Sequence, residues 1–176
     1  MSSDKPTSSE RRPIRRLLVA NRGEIARRIF RSAHDMGIET VAVFADGDAD
    51  APFVSEAHQA VSLRGRSPSE SYLDVAKVLD AARVTGADAV HPGDGFLAEN
   101  AEFATQVIDA GLTWVGPSPH AIASMGDKLA AKAMMVQAGV PTLPSIEVMA
   151  DLDVIAAAHD IGFPVLVKAT AGGGGK

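Results

Sequence analysis

The sequence has no cysteine, which excludes disulfides and thiolate metal sites and fits a reducing compartment. It also lacks an excess of positive charge: 17 Lys and Arg stand against 22 Asp and Glu, for a formal net charge of −5. Apart from "RRPIRR" at 11–16 the basic residues are scattered, so a phosphate backbone is not indicated and nucleic acid is set aside as a partner. No apolar run approaches the roughly 18 residues of a membrane span. Even the stretch from Leu129 to Val140 is interrupted by Lys132 and Gln137. The opening "MSSDKPTSSERRP" has no apolar signal-peptide core and reads as a disordered tail over residues 1–13. The expectation is a folded cytoplasmic chain that neither spans nor enters a membrane. Its 176 residues allow one core and part of a second.

From Leu17 onward, short apolar runs alternate with helical periods. "LLVA" (17–20), "TVAVFA" (40–45), "AVSL" (60–63), "DAVH" (88–91) and "TWVG" (113–116) read as strands. Between them, Ile25, Ile29, Ala33 and Met36 recur at helical spacing until Gly37. Leu73, Ala76, Leu79 and Ala82 mark a second helix, and Phe103, Val107 and Ala110 a third. Strands separated by crossover helices predict a parallel α/β sheet of Rossmann-like type with helices on both faces. Ligands of such sheets bind at the carboxyl ends of strands, which directs attention to "ANRGE", "ADGDAD", "HPGDGFLAEN" and "VGPSP". A seam lies in "PSPHAIASMGD". Beyond it come a helix "KLAAKAMMVQAG", an extended "VPTLPSIEVM", a helix "DLDVIAAAHDIG" and a strand "PVLVKA" leading into "TAGGGGK". This order predicts a Rossmann-like domain over 14–126 and the start of a second domain over 127–176, cut within its glycine loop.

The glycines Gly172, Gly173, Gly174 and Gly175 let backbone N–H groups approach an anion closely. They fail the P-loop spacing: with Gly175-Lys176 as its end, the first glycine would fall on Thr170. A flexible linker or hairpin tip fits the run equally well. Lys168 stands at the end of the strand before that loop, on the face of Leu166, where its ammonium can reach a phosphate or merely extend into water. Asp127 is a plausible N-cap, which places Lys128 in a first helical turn where the macrodipole is already positive. A bound anion would make that placement favourable; a side chain pointing away would make it neutral.

"HPGDGFLAEN" groups His91, Gly93, Asp94, Gly95, Glu99 and Asn100 after a strand. Gly93, Gly95 and Ala98 formally match a dinucleotide fingerprint, yet "TWVGPSP" offers no acidic residue for a ribose. Polar ligand contacts are the reading kept, with Asn100 also able to cap the next helix. Asp46, Asp48 and Asp50 resemble half of a calcium loop but lack its closing Glu and its glycine, so a solvated loop is expected and no metal is assigned. No G-x-S-x-G or Ser-His spacing marks a nucleophile, and no catalytic residue is assigned within the segment. Arg27, Arg28 and Arg31 give the first helix a basic face, solvated or engaged with another subunit.

Taken together, "RRLLVANRGEIARRIFRSAHDMGI", "SYLDVAKVLDAARVTGADAVHPGDGFLAENAEFA", "WVGPSP", "MGDKLAAK", "AGVP" and "FPVLVKATAGGGGK" closely resemble the N-terminal part of the biotin carboxylases, in order, from about Ile14 to Lys176. The resemblance implies an ATP-grasp enzyme with a Rossmann-like first domain and a mobile glycine lid. Such enzymes use Mg-ATP to activate bicarbonate as carboxyphosphate and then carboxylate biotin on a carrier protein or domain, for a carboxyltransferase to use on an acyl-CoA. It implies ATP contacts for Lys128, Lys168 and the glycines 172–175, and a biotin-side loop holding His91, Gly93, Asp94, Gly95 and Glu99. Magnesium ligands and the catalytic arginine of the family fall outside the segment, which is expected to be inactive alone. Arg31 and Asp35 match charged positions of the family's homodimer. The family usually has tyrosine where this chain has Asp94, which removes an aromatic surface beside the biotin site and adds negative charge. The rival expectation is a naturally short, non-catalytic binding or interaction domain. Other ATP-grasp ligases fit "ANRGEIA" and "HPGDGFLAEN" less well.

Overall fold

The computed structural model describes residues 13–126 and 128–167, leaving the side chains of residues 128–130 aside. The expected tail at residues 1–13 lies outside the described residues except for Pro13. The chain divides into two compact units, Met1–Ala123 and Ser124–Lys176.

In the first unit, five parallel strands, β1 (Arg16–Val19), β2 (Glu39–Phe44), β3 (Gln59–Ser62), β4 (Ala89–His91) and β5 (Thr113–Trp114), form one sheet in the order β3-β2-β1-β4-β5. The register follows from side-chain alternation, because successive residues of a strand point to opposite faces. Leu17, Val19, Ala42 and Ala89 face one layer, together with Ala26, Phe30 and Ala33 of α1 (Gly23–Asp35) and Phe53 of α2 (Pro52–Glu56). Leu18, Val41, Val43 and Val90 face the other. There they meet Val78, Ala81 and Ala82 of α3 (Val75–Thr85) and Phe103 and Val107 of α4 (Ala101–Asp109). Both faces are therefore dry, which is why the strands read as continuous apolar runs. The expected parallel sheet with helices on both faces is what the chain forms.

Some helical faces differ from expectation. Met36 is exposed and outside α1, because Gly37 adopts φ 71° and turns the chain there, with Ile38 N–H donating to Ala33 O at 2.8 Å. Asp74 caps α3, its carboxylate accepting from Lys77 N–H at 3.1 Å. That cap leaves Leu73 outside the helix and exposed, and the buried stripe becomes Val78, Ala81, Ala82 and Thr85. The seam at 117–127 contains a helix, α5 (Pro119–Gly126). Pro119 suits a first helical position, Ser118 Oγ accepts from Ala121 N–H at 3.2 Å, and Ile122 is buried.

The second unit contains α6 (Lys128–Gln137) and α7 (Val154–Ile161). Asp153 caps α7 by accepting from Ile155 and Ala156 N–H at 3.0 and 3.1 Å. The extended run after α6 is held by Lys132, whose ammonium donates to Ser145 Oγ at 2.5 Å and to Leu143 O. The strand expected at "PVLVKA" is not formed among the described residues: 165–167 are irregular, and Leu166 and Val167 are exposed. A strand exists only by pairing, and the described residues of this unit supply no partner strand.

Candidate functional site

β1 feeds α1 and β2 on one side of the sheet, whereas β4 is reached from the far edge, so the strand order reverses between β1 and β4. Loops leaving two such strands diverge and open a crevice at their carboxyl ends. A cleft of about 410 Å³ lies there, lined by residues 21–25 after β1 and residues 94–96 after β4.

Asn21 joins the two loops. Its side chain is buried, yet all of its polar atoms are engaged. Nδ2 donates to Pro92 O at 2.9 Å and to Asp94 O at 2.8 Å, while Oδ1 accepts from Arg22 N–H at 2.9 Å. Gly93 passes directly over this amide with φ 72°. His91 ends β4, half-buried, and its Nδ1 accepts from Gly93 N–H at 3.0 Å. Burial pushes the His91 imidazole below its ordinary pKa, favouring the neutral ring that this bond requires. Gly95, at φ 68°, opens onto the cleft, and Asp94 is exposed at its rim. Glu99 is exposed at the end of the short turn Phe96–Glu99 and does not line the cleft. Asn100 caps α4, accepting from Phe103 N–H at 2.8 Å.

Of the acidic cluster, Asp46 and Asp50 are exposed as expected, but Asp48 is not a solvated carboxylate. Asp48 is half-buried and binds Arg22 in a fork, with Nε at 2.8 Å and the terminal nitrogen at 2.5 Å. It also accepts from the Tyr72 hydroxyl at 2.6 Å. The Arg22 hydrogen bond, aided by Tyr72, holds the Asp48 carboxyl below its usual range. Burial, with the Asp48 hydrogen bond, pushes the Tyr72 phenol up to about 12. Asp46 accepts from Gly65 N–H at 3.1 Å, which ties its loop to the turn after β3. Arg27 on α1 is paired with Glu56 of α2 at 2.6 Å, beside a charged hollow of about 330 Å³ also lined by Glu24, Arg31 and His34. That hollow lies on the α1–α2 layer and shares Glu24 with the cleft.

The arrangement can hold a polar ligand by backbone groups and by Arg22, but among the described residues no cluster of three His, Cys, Asp or Glu could hold a metal. Lys128 is the first residue of α6, and its side chain is not among those described. Asp127, Lys168 and Gly172 to Gly175 lie outside the described residues. Asn21, Arg22, Asp48 and Tyr72 were missed as site residues. The one available signal was "ANRGE" standing directly after an apolar strand.

The sheet order and the cleft define a Rossmann-like α/β domain with its ligand crevice at the switch point. Residues 13–122 match the family described as biotin carboxylase, N-terminal domain, and the chain belongs to that family. Residues 127–176 match the carbamoyl-phosphate synthase L chain, ATP binding domain. The chain is 51% identical over 165 residues to the biotin-dependent acyl-coenzyme A carboxylase alpha3 subunit of Mycobacterium leprae, covering 93% of this chain and 28% of that protein. It is 48% identical over 165 residues to biotin carboxylase 1 of Bacillus subtilis, covering 93% and 37%. Among solved structures, Rhizobium etli pyruvate carboxylase superposes with a TM-score of 0.82 at 41% identity, over 93% of this chain and 15% of that one. The chain thus spans roughly a third of the length of these biotin carboxylase relatives. No helix among the described residues is long and apolar enough to cross a membrane.

Proposed function

We propose that the chain is the N-terminal portion of an ATP-dependent biotin carboxylase, whose chemistry belongs to a longer protein. The observation that carries this reading is the pair of family matches following one another along the chain, 13–122 and then 127–176. In the proposed reaction, bicarbonate oxygen attacks the terminal phosphorus of ATP, releasing ADP and forming carboxyphosphate. The carboxyl group then passes to a biotin nitrogen and inorganic phosphate leaves. The biotin is carried by a separate protein or domain, and a carboxyltransferase uses the product on an acyl-CoA.

Lys128, at the start of α6, adds its charge to the positive end of the helix to hold ATP phosphates. Lys168 acts on the same anion from the segment before the glycines. Gly172 to Gly175 offer their backbone N–H groups to the phosphates. The loop from His91 to Glu99, with Gly93, Asp94 and Gly95, forms the biotin side. Magnesium would neutralise the phosphates, through ligands that the described residues do not supply. Arg31 and Asp35, both exposed on α1, are proposed to meet a second copy of the chain.

Substituting Lys128→Gln and Lys168→Gln in the native-length protein tests the nucleotide assignment. Each is expected to raise KM for ATP by at least about tenfold, the value of one lost charge-assisted contact. A KM for ATP unchanged in both variants would overturn it.

A further inference from the structure

Phe96 has the least favourable backbone of the residues around the cleft. Its φ is 45°, a left-handed conformation that a bulky residue adopts only when its surroundings impose it. What imposes it is visible. The Phe96 ring stacks on Tyr72 with centroids 5.1 Å apart and planes 23° from parallel. Tyr72 is itself buried and fixed at its hydroxyl from two directions, donating to Asp48 at 2.6 Å and accepting from Ala45 N–H at 3.1 Å. Asp48 is forked by Arg22, whose guanidinium also lies 6.0 Å from the Tyr72 ring centroid. Arg22 and Phe96 are the two lips of the cleft. Side chains from the carboxyl ends of β1, β2 and β4, and from the segment before α3, are therefore linked in one line from Phe96 through Tyr72 and Asp48 to Arg22.

We propose that Tyr72 is the positioning residue of this cleft: through Phe96 on one side and Asp48–Arg22 on the other it sets the distance between the lips. Its own ring does not line the cleft, and it acts through its contacts with residues that do. The proposal deepens the biotin-side reading of the loop, and rests on that reading for its effect on turnover.

Amide hydrogen exchange of the native-length protein tests it independently of any reaction. Tyr72→Leu, which removes the stack and the hydroxyl, is expected to speed exchange at the amides of 96–100 by about tenfold, and Tyr72→Phe by about threefold, with Val41 to Val43 unchanged. Loop and strand amides accelerating by the same factor would make Tyr72 a stability residue only and overturn the proposal, as would loop amides that do not change. Should Tyr72→Leu fail to fold, Asp48→Asn decides between the same outcomes, because it leaves the buried ring in place. In the native-length protein with free biotin as substrate, Tyr72→Phe is expected to raise KM for biotin several-fold with KM for ATP unchanged. If the unsubstituted protein shows no biotin-dependent turnover, the functional reading fails while the exchange result still judges the positioning of the loop.

Discussion

Gly93 lies against Asn21 so closely that a methyl group on its Cα would stand 2.6 Å from Nδ2 and 2.8 Å from Cγ of the buried amide. The two residues are 72 positions apart, and their contact is what brings the loop after β4 over the loop after β1. Asn21 cannot yield without releasing the carbonyls of Pro92 and Asp94 that it satisfies.

Gly93→Ala therefore combines a strained backbone at φ 72° with an overpacked contact. Unfolding by denaturant is expected to show a loss of about 3 kcal/mol. Because the clash is with one side chain, Gly93→Ala is expected to cost less in an Asn21→Gly background than in the unsubstituted chain, and a purely additive pair would show that the contact is not its source.

His91 links the site to pH. Burial lowers its folded pKa below the ordinary value near 6.5, so the unfolded chain binds the extra proton first. Its contribution to stability is complete above pH about 6.5 and is lost as pH falls from there through the folded pKa. Titration of the His91 ring by NMR should give a midpoint below the ordinary value near 6.5; a midpoint at or above it would contradict the burial argument.

Tyr72 is the only tyrosine in the sequence, so phenolate absorbance reports it alone. The folded phenol should ionise near pH 12, against about 10 when unfolded. Since the folded state holds this proton more tightly, its contribution is present below pH about 10 and is lost as pH rises toward 12. Ionisation at pH 10 in the folded chain would contradict the burial of the phenol together with its Asp48 contact.

Asp94 carries the most informative substitution for specificity. It stands exposed at the cleft rim, at the position where the resemblance in the sequence leads one to expect an aromatic ring, and Asn21 holds its backbone rather than its side chain. Asp94→Tyr should leave the loop in place, lower KM for free biotin and raise biotin-dependent turnover in the native-length protein. Unchanged kinetics would show that position 94 does not face the substrate.

Much of the sheet was legible because both its faces are buried: each strand announces itself as an apolar run, and Gly37 and Gly86 end their helices in the left-handed region. Helix α5 was hidden by the prolines and serine of "PSPHAIASMGD", which suit a loop and a helix start equally. The linked series Arg22, Asp48, Tyr72 and Phe96 could not be read, because its contacts join residues 24 and more positions apart and no local period marks them. For the same reason Asp48 looked like one of three solvated carboxylates until the fold supplied its partners. The neutral role of Asn100 as a helix cap was readable, since capping is a local contact.

The most direct test is the release of phosphate from ATP by the native-length protein in bicarbonate, with and without free biotin. Cleavage is expected to depend on bicarbonate and to be stimulated by biotin. ATP cleavage indifferent to both, or none at all from a folded protein, would contradict the proposed function.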